Sequence, residues 1–148
     1  MTVFKAIDYN NIPTIVNLMA DFYAIDGYPI DCNLSTKNFE LFISKPDLGR
    51  AWLIYQDDQI VGYVMIVFMF SFEYGGSIAF LDELYLNENA RGKGLGKKAV
   101  AFVQDQAQKL SLKLLYLEIE QHNATAQKLY LAAGFELHNR NIMRFKIN

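Results

Sequence analysis

The sequence has little of the residue types on which disulfide-linked and metal-binding proteins depend. Of its 148 residues, one is cysteine, two are histidine and three are proline. Cys32 has no second cysteine to pair with, which excludes an intrachain disulfide and suits a reducing compartment. His122 and His138 have no clustered cysteine or acidic partners in sequence, and two ligands are too few for a metal site. The composition therefore predicts neither disulfide nor metal.

Excess charge and long apolar runs are also scarce. Lys and Arg total 14 against 16 Asp and Glu, a formal net charge of −2, so we expect no nucleic-acid-binding surface beyond a short basic cluster at residues 91–98. The polar, mixed residues 1–5 predict no signal peptide. The longest apolar stretch, residues 60–72, is too short to span a membrane and is interrupted by Gly62 and Ser71. These patterns predict a cytoplasmic protein that binds neither membranes nor nucleic acid.

The length and the periodicity predict one α/β domain over residues 1–148. Hydrophobic residues make up 52% of the chain, enough for a sizeable core. Alternating and helical spacings give the order β-α-α-β-β-β-α-β-α-β-β. The predicted strands are residues 2–7, 51–55, 60–72, 78–86, 114–119, 136–139 and 142–147. The predicted helices are residues 12–24, a segment capped by Ser35 and ended by Pro46, residues 94–110, and a last helix from His122 to Gly134. The strand at 114–119 must cross over from the strand at 78–86, which favours parallel pairing.

A glycine-rich turn lies between the strand at 78–86 and the helix at 94–110. Its sequence is Arg91-Gly92-Lys93-Gly94-Leu95-Gly96-Lys97-Lys98. Glycines at alternate positions leave the backbone bare, and a helix N-terminus offers unpaired N–H groups at the positive end of the macrodipole. Together these predict a phosphate or pyrophosphate site.

Two common phosphate-binding motifs do not match this turn. A nucleotide P-loop requires a lysine and then a Ser or Thr that binds Mg²⁺, and no hydroxyl residue follows Lys97. A dinucleotide fingerprint requires a third glycine where Lys97 stands. The sequence therefore disfavours a nucleotide-phosphate binder.

The turn resembles the coenzyme-A pyrophosphate loop of the GNAT acetyltransferase superfamily, with Arg91, Gly94 and Gly96 in its key places. A second stretch, Asn123-x-x-Ala126-x-x-x-Tyr130-x-x-x-Gly134-Phe135, is similar to that superfamily's second signature. The element order also resembles the GNAT fold. The resemblance thus implies an α/β, α+β-type fold with a central mixed antiparallel and parallel sheet, flanked by about four helices. It also implies acetyl-CoA as cosubstrate.

The resemblance implies which residues bind the coenzyme. The pyrophosphate would be held by the backbone of the glycine turn, the pantetheine arm by the strand before it, and the other side of the arm by the last helix. The implied set is Leu84, Tyr85, Leu86, Arg91, Gly92, Lys93, Gly94, Leu95, Gly96, Lys97, Asn123, Ala126 and Tyr130.

The same resemblance implies the catalytic groups. Tyr130 would donate a proton or a hydrogen bond to the leaving thiolate, since a phenol is neutral at pH 7. The acidic pair Asp82-Glu83 is similar to a pair in the polyamine (spermidine/spermine) acetyltransferase branch, although the order there is Glu-Asp. Either residue would assist deprotonation of the amine. Because adjacent strand residues face opposite sides, we expect only one to face the acceptor.

The expected acceptor is a small cationic amine such as a polyamine, bound by Tyr28, Asp82 and Glu118. An aromatic ring beside carboxylates suits an ammonium group. Two alternatives remain open: a protein or peptide N-acetyltransferase, and a non-catalytic module that binds acyl-CoA. An open groove at the loop of residues 26–32 would favour peptides, and a closed acidic pocket a small amine. By analogy with GNAT relatives, the apolar C-terminal strands would serve a homodimer.

Overall fold

A computed structural model describes all residues, 1–148. The chain forms two compact units, Met1–Glu118 and Ile119–Asn148. The assignment of residues 1–148 to a single domain stays a prediction.

The first unit is built on a five-stranded sheet in the order β1-β2-β3-β4-β5. Its strands are β1 Thr2–Ala6, β2 Gly49–Gln56, β3 Gln59–Ser71, β4 Gly76–Leu86 and β5 Leu115–Tyr116. Its helices are α1 Ile12–Ile25, α2 Cys32–Ser44 and α3 Leu95–Lys109, with short 3-10 turns at Tyr9–Asn11 and Glu88–Ala90. The second unit contains α4 Ala124–Ala132. None of these helices combines the length and the hydropathy that crossing a bilayer requires.

The sheet is mixed, as predicted. Strands β1 to β4 pair antiparallel in sequence order, whereas β5 pairs with β4 in parallel after the α3 crossover. Helices α1 and α2 cover one face, and α3 covers the other. On the first face, buried Ile15 of α1 and Phe39 of α2 pack with Tyr63 and Met65 of β3. On the second face, the ring of Phe102 in α3 stacks on Phe4, with centroids 4.2 Å apart.

Helix α2 begins four residues earlier than the sequence suggested, because its N-cap is Asp31 and not Ser35. Its N-cap is Asp31, whose carboxylate accepts a hydrogen bond from the Leu34 N–H at 3.1 Å. Ser35, the predicted cap, lies inside the helix. Both Asp and Ser cap helices well, so their identity alone did not decide between the two starts.

A β-bulge interrupts the pairing of β3 with β4 at Asp82. Met65 pairs with Glu83, but the next residue, Ile66, pairs with Leu81, so Asp82 is the additional residue on β4. A bulge breaks the alternation of side chains between the two faces of a strand. Leu81 therefore lies on the α3 side with Ile66, whereas Glu83 lies on the α1/α2 side with Met65.

The C-terminal strands predicted at residues 136–139 and 142–147 are absent from the structure, which has no strand after β5. The strand expected at 114–119 pairs only at Leu115 and Tyr116. Five apolar side chains of the C-terminal segment are 69–94% exposed: Leu137, Ile142, Met143, Phe145 and Ile147. Alternating apolar residues form a strand only when a neighbouring strand supplies the hydrogen bonds. The sequence of residues 136–147 does not show whether such a neighbouring strand is present.

Gly62 of β3 lies where a side chain would collide with β4. A Cβ atom at this position would stand 1.9 Å from the carbonyl oxygen of Tyr85. Because backbone cannot rotate away, we expect Gly62→Ala to lower the free energy of unfolding by about 3 kcal/mol. The measurement is the urea midpoint. Gly75→Ala is the control, because the new Cβ meets nothing within 4 Å and the only strain comes from a positive φ of 81°. We expect this variant to lose about 1 kcal/mol of unfolding free energy. Equal losses in the two variants would contradict the steric argument.

Candidate functional site

The glycine turn presents an uncapped helix N-terminus. Gly94 is the N-cap of α3, with a left-handed φ of 79° and no side chain to bond the first-turn N–H groups. Gly92 is also left-handed, at φ 74°, and a Cβ on either glycine would meet nothing within 4 Å. The N–H groups of the first helical turn therefore face open space with the positive end of the helix dipole. Such an arrangement binds a phosphate group.

The edge of β4 next to this turn is unpaired. The parallel ladder between β4 and β5 covers only Ala79 and Phe80, so the strands separate beyond that point. At the far end of β4, the Asn87 N–H donates to Val61 of β3 at 2.8 Å. Backbone groups alternate in direction along a strand, so those of Leu84 and Leu86 point to the side away from β3. This edge can bind an extended chain of amides as an added strand would.

Arg91 connects the open edge to the turn. Its Nε donates to the Leu86 carbonyl at 2.9 Å, and its guanidinium lies 5.9 Å from the centroid of the Tyr85 ring. Three further basic residues, Lys93, Lys97 and Lys98, are exposed around the start of α3. The cations and the uncapped N–H groups thus lie together at one end of β4. These residues fit a ligand with a pyrophosphate and an amide-containing arm, which is the chemistry of coenzyme A.

Glu83 is held by two tyrosines. Its Oε2 accepts a hydrogen bond from Tyr23 Oη of α1 at 2.7 Å, and its Oε1 accepts one from Tyr63 Oη of β3 at 2.6 Å. Burial raises the pKa of Glu83 above its usual range, although both phenols oppose that rise by stabilising the carboxylate. Burial and the adjacent carboxylate also raise the pKa of both tyrosines, so they stay protonated donors. Neither phenol was among the site residues predicted from the sequence.

Asp82 faces the same side of the sheet as Glu83. Asp82 lines a cavity together with Met19, Phe39 and Met65, which belong to the α1/α2 face. The premise that adjacent residues of this strand face opposite sides was therefore wrong at Asp82 and Glu83, because the bulge cancels the alternation; of the two, Asp82 lines the cavity. Partial loss of hydration raises the pKa of the exposed Asp82 carboxyl, and the negative charge of Glu118 raises it further. The Asp82 carboxylate accepts no hydrogen bond from another side chain, unlike that of Glu83.

Glu118 provides a test of this acidic group. The substitution Glu118→Gln removes a negative charge that disfavours the ionised form of Asp82. We therefore expect the pKa of Asp82 to fall toward its usual value. Desolvation keeps the pKa above that value. Carboxyl ¹³C chemical shifts followed through an NMR titration measure the change. The matched variant Glu88→Gln removes an exposed carboxylate that does not act on Asp82, so the titration of Asp82 should stay unchanged in it. An unchanged titration of Asp82 in Glu118→Gln would refute the coupling between Asp82 and Glu118.

The cavity beside Asp82 lies between α1, α2, β3 and β4. Its volume is about 240 Å³ and it is lined by Met19, Ser35, Asn38, Phe39, Phe42, Met65, Val67 and Asp82. Tyr28, expected to bind the acceptor, is 52% exposed and does not line this cavity. The helical periodicity of the α2 sequence gives no sign that one side of the helix borders a cavity.

The second unit contains the remaining predicted residues. The Asn123 side chain caps α4 by accepting a hydrogen bond from the Ala126 N–H at 3.0 Å. Tyr130 is half-buried within α4, and its ring packs against Phe135 with centroids 5.6 Å apart. Burial raises the pKa of the Tyr130 phenol to about 12. The Asn123, Ala126 and Phe135 positions of the motif thus have a structural role within this unit.

Comparison with known proteins identifies the family. A sequence profile described as the acetyltransferase (GNAT) family matches residues 13–135. Spermine/spermidine N(1)-acetyltransferase of Bacillus subtilis (strain 168) is 31% identical over 86 residues, covering 56% of this chain and 57% of that protein. D-amino-acid N-acetyltransferase HPA3 of Saccharomyces cerevisiae is 32% identical over 68 residues, covering 43% of this chain and 42% of that protein. The chain thus matches only about half the length of these curated relatives.

A solved structure extends the similarity along almost the whole chain. The integron cassette protein HFX_CASS3, from the mobile metagenome of Cole Harbour Salt Marsh, is 32% identical with a TM-score of 0.88, covering 98% of this chain and 90% of that chain. Its fold matches the mixed sheet and helices described above. The chain belongs to the acetyltransferase (GNAT) family.

Proposed function

We propose that this protein is an acetyl-CoA-dependent N-acetyltransferase that acetylates the primary amine of a small cationic molecule. The observation that supports this most is the position of two carboxylates, Asp82 and Glu83, directly before the unpaired edge of β4. That edge ends at an uncapped helix N-terminus. An anion site, a strand edge for an amide arm and a base thus follow one another along a single segment of the chain.

The residues proposed to bind the coenzyme have distinct tasks. The first-turn N–H groups of α3 and the neighbouring cations neutralise the pyrophosphate. The backbone N–H groups of Leu84 and Leu86 and the Leu84 carbonyl bind the amides of the arm, whereas the Leu86 carbonyl accepts from Arg91. The bound coenzyme supplies an acetyl thioester, whose carbonyl carbon the amine attacks. The N–H groups of this strand edge then stabilise the negative charge that develops on the carbonyl oxygen.

Asp82 is the better placed of the two carboxylates to assist deprotonation of the amine. An alkylammonium group with a pKa near 10.4 is almost fully protonated at pH 7 and cannot attack until it loses a proton. Both oxygens of Glu83 already accept hydrogen bonds from phenols, whereas Asp82 is open to the cavity. The raised pKa of Asp82 makes it a stronger base than an ordinary aspartate. Glu83 is instead held in place by Tyr23 and Tyr63.

Tyr130 is proposed, on the resemblance of its motif, to stabilise the leaving thiolate. Asn123 and Ala126 are proposed on the same basis to face the pantetheine arm. The phenol stays protonated at neutral pH because its pKa is raised to about 12. Direct attack on the thioester within a ternary complex requires no covalent enzyme residue, and Cys32 takes no part in this scheme.

Two types of acceptor each have one observation in their favour. The acidic trio Asp82, Glu83 and Glu118 suits a polyamine, and the Bacillus relative is named for spermine and spermidine. The apolar walls of the cavity favour an amine with a single charge. A peptide or protein acceptor is the remaining alternative, and dimerisation and a cytoplasmic location stay predictions.

The first experiment measures thiol release from acetyl-CoA across a panel of amines. The panel contains spermidine, putrescine, aminoglycosides, free amino acids, short peptides and simple alkylamines. Turnover on any small amine, with the N-acetyl product identified by mass spectrometry, supports the proposal. Calorimetric binding of acetyl-CoA without turnover on any member would favour the non-catalytic binding module instead.

The glycine turn yields a direct prediction about coenzyme affinity. Gly94→Ala forces an L side chain into a left-handed conformation at the N-cap of α3, which would shift the first-turn N–H groups. We expect the Kd for acetyl-CoA, measured by calorimetry, to rise about tenfold. Gly27→Ala is the matched control, since Gly27 has φ 69°, likewise has nothing within 4 Å of its Cβ position and lies outside the turn. Equal affinities in the two variants would contradict a pyrophosphate site at this helix.

A further inference from the structure

The cavity beside Asp82 is lined mainly by apolar side chains. Five of its eight lining residues are apolar, namely Met19, Phe39, Phe42, Met65 and Val67, and the others are Ser35, Asn38 and Asp82. Met19, Phe39 and Met65 are 4–7% exposed and belong to the packed core of the first unit. Since closely packed side chains have little room to move, the shape of these walls is fixed by the fold.

Asp82 is the one charged residue among the lining side chains. A single carboxylate can pair with a single ammonium group. Glu83 is engaged by Tyr23 and Tyr63, and Glu118 influences Asp82 without lining the cavity. A second ammonium group placed among the methionine and phenylalanine side chains would lose its hydration without gaining a counter-ion, which is strongly unfavourable.

Resting on the proposed function, we propose that the preferred acceptor is a primary monoamine with an apolar body. The ammonium group pairs with Asp82, and an alkyl or phenylalkyl body of about five to eight carbons occupies the cavity. The volume is adequate, because an apolar cavity of about 150 Å³ is known to hold benzene and this one measures about 240 Å³. Polyamines are correspondingly poor acceptors, although they share the reacting group.

Amine pairs of matched length test this proposal. Butylamine is compared with putrescine, and pentylamine with cadaverine, so that each pair differs only in a terminal ammonium group. We expect kcat/KM to be at least about tenfold higher for each monoamine. Along the series from ethylamine to pentylamine, kcat/KM should rise by about threefold for each methylene that enters the cavity. 2-Phenylethylamine should exceed ethylamine by more than tenfold.

A substitution in α2 that fills the cavity tests whether the amine binds there. Ser35→Phe places an aromatic ring at a half-buried lining position, whereas Asn33→Phe places the same ring at an exposed position of α2 that does not line the cavity. Binding of pentylamine, followed by NMR titration in the presence of coenzyme A, reports on the site without requiring turnover. We expect Ser35→Phe to weaken this binding at least tenfold and Asn33→Phe to leave it unchanged.

The outcomes separate this inference from the proposed function. Diamines that match or exceed their monoamine partners would overturn the inference and leave acetyl transfer intact. Undetectable pentylamine binding, or equal effects of the two phenylalanine variants, would also overturn it. Pentylamine binding that Ser35→Phe abolishes, without acetyl transfer to any amine, would support the binding site and contradict the proposed function.

Discussion

Replacing Tyr130 by phenylalanine should reduce kcat by about 10- to 100-fold while leaving the Kd for acetyl-CoA nearly unchanged. The substitution removes one hydroxyl and keeps the ring that packs against Phe135, so folding of α4 is preserved. Steady-state thiol release gives kcat, and calorimetry gives Kd. Tyr9→Phe removes an exposed phenol in the first unit and should behave as the unmodified protein. Unchanged turnover in Tyr130→Phe would remove the proposed role.

The raised pKa of Tyr130 indicates what kind of help the phenol gives. Complete proton transfer from a phenol with a pKa of about 12 to a thiolate with a conjugate-acid pKa of about 8.5 is uphill by several kcal/mol. A hydrogen bond to the thiolate requires no such transfer and stabilises the developing charge by about 1.5–3 kcal/mol. The proton that finally neutralises the thiolate then comes from the acidified amine or from water.

Replacing Asp82 by asparagine should lower kcat/KM for the amine by about 100-fold at pH 7. The amide cannot accept the proton of the ammonium group and carries no charge to attract it. Acetyl-CoA affinity should be little affected, because Asp82 precedes the strand segment proposed to bind the coenzyme. Initial rates over a range of amine concentrations separate kcat from KM.

The pH dependence distinguishes loss of a base from loss of structure. As the pH rises toward about 10, the amine loses its proton without assistance, and the deficit of Asp82→Asn should shrink. Asp105→Asn is a matched control, because Asp105 is exposed and pairs only with Lys109 along α3, an interaction worth little. A large deficit in Glu83→Gln combined with normal rates in Asp82→Asn would transfer the role of base to Glu83.

Features set by neighbouring residues were predictable from the sequence. The glycine turn, α1, α3 and the strands from β1 to β4 all follow from local periodicity and from glycine or proline signals. Pro13 at the start of α1 is an example, because its fixed φ suits a first helical turn. The anion-binding start of α3 was predictable for the same reason.

Features set by distant residues were not predictable. The tyrosines that hold Glu83 precede it by 60 and 20 positions, and no spacing rule connects them. The bulge at Asp82 depends on how β4 aligns with β3, which neither strand reveals alone. The cavity depends on how α2 packs over the sheet. The C-terminal pattern at residues 142–147 has the alternation of a strand, but alternation supplies no hydrogen-bonding partner.

The bulge at Asp82 also changes how tolerance to substitution should vary along β4. In a regular strand, every second position belongs to the same face, so a saturation mutagenesis map shows one period-two rhythm. Here odd-numbered Leu81 packs under α3, while odd-numbered Glu83 and Tyr85 lie under α1 and α2. The α3 face therefore takes odd-numbered residues before Asp82 and even-numbered residues after it. Deleting Asp82 would restore regular alternation along β4 and regular pairing with β3. The same deletion would remove the proposed base, so we expect a better-ordered sheet and no acetyl transfer.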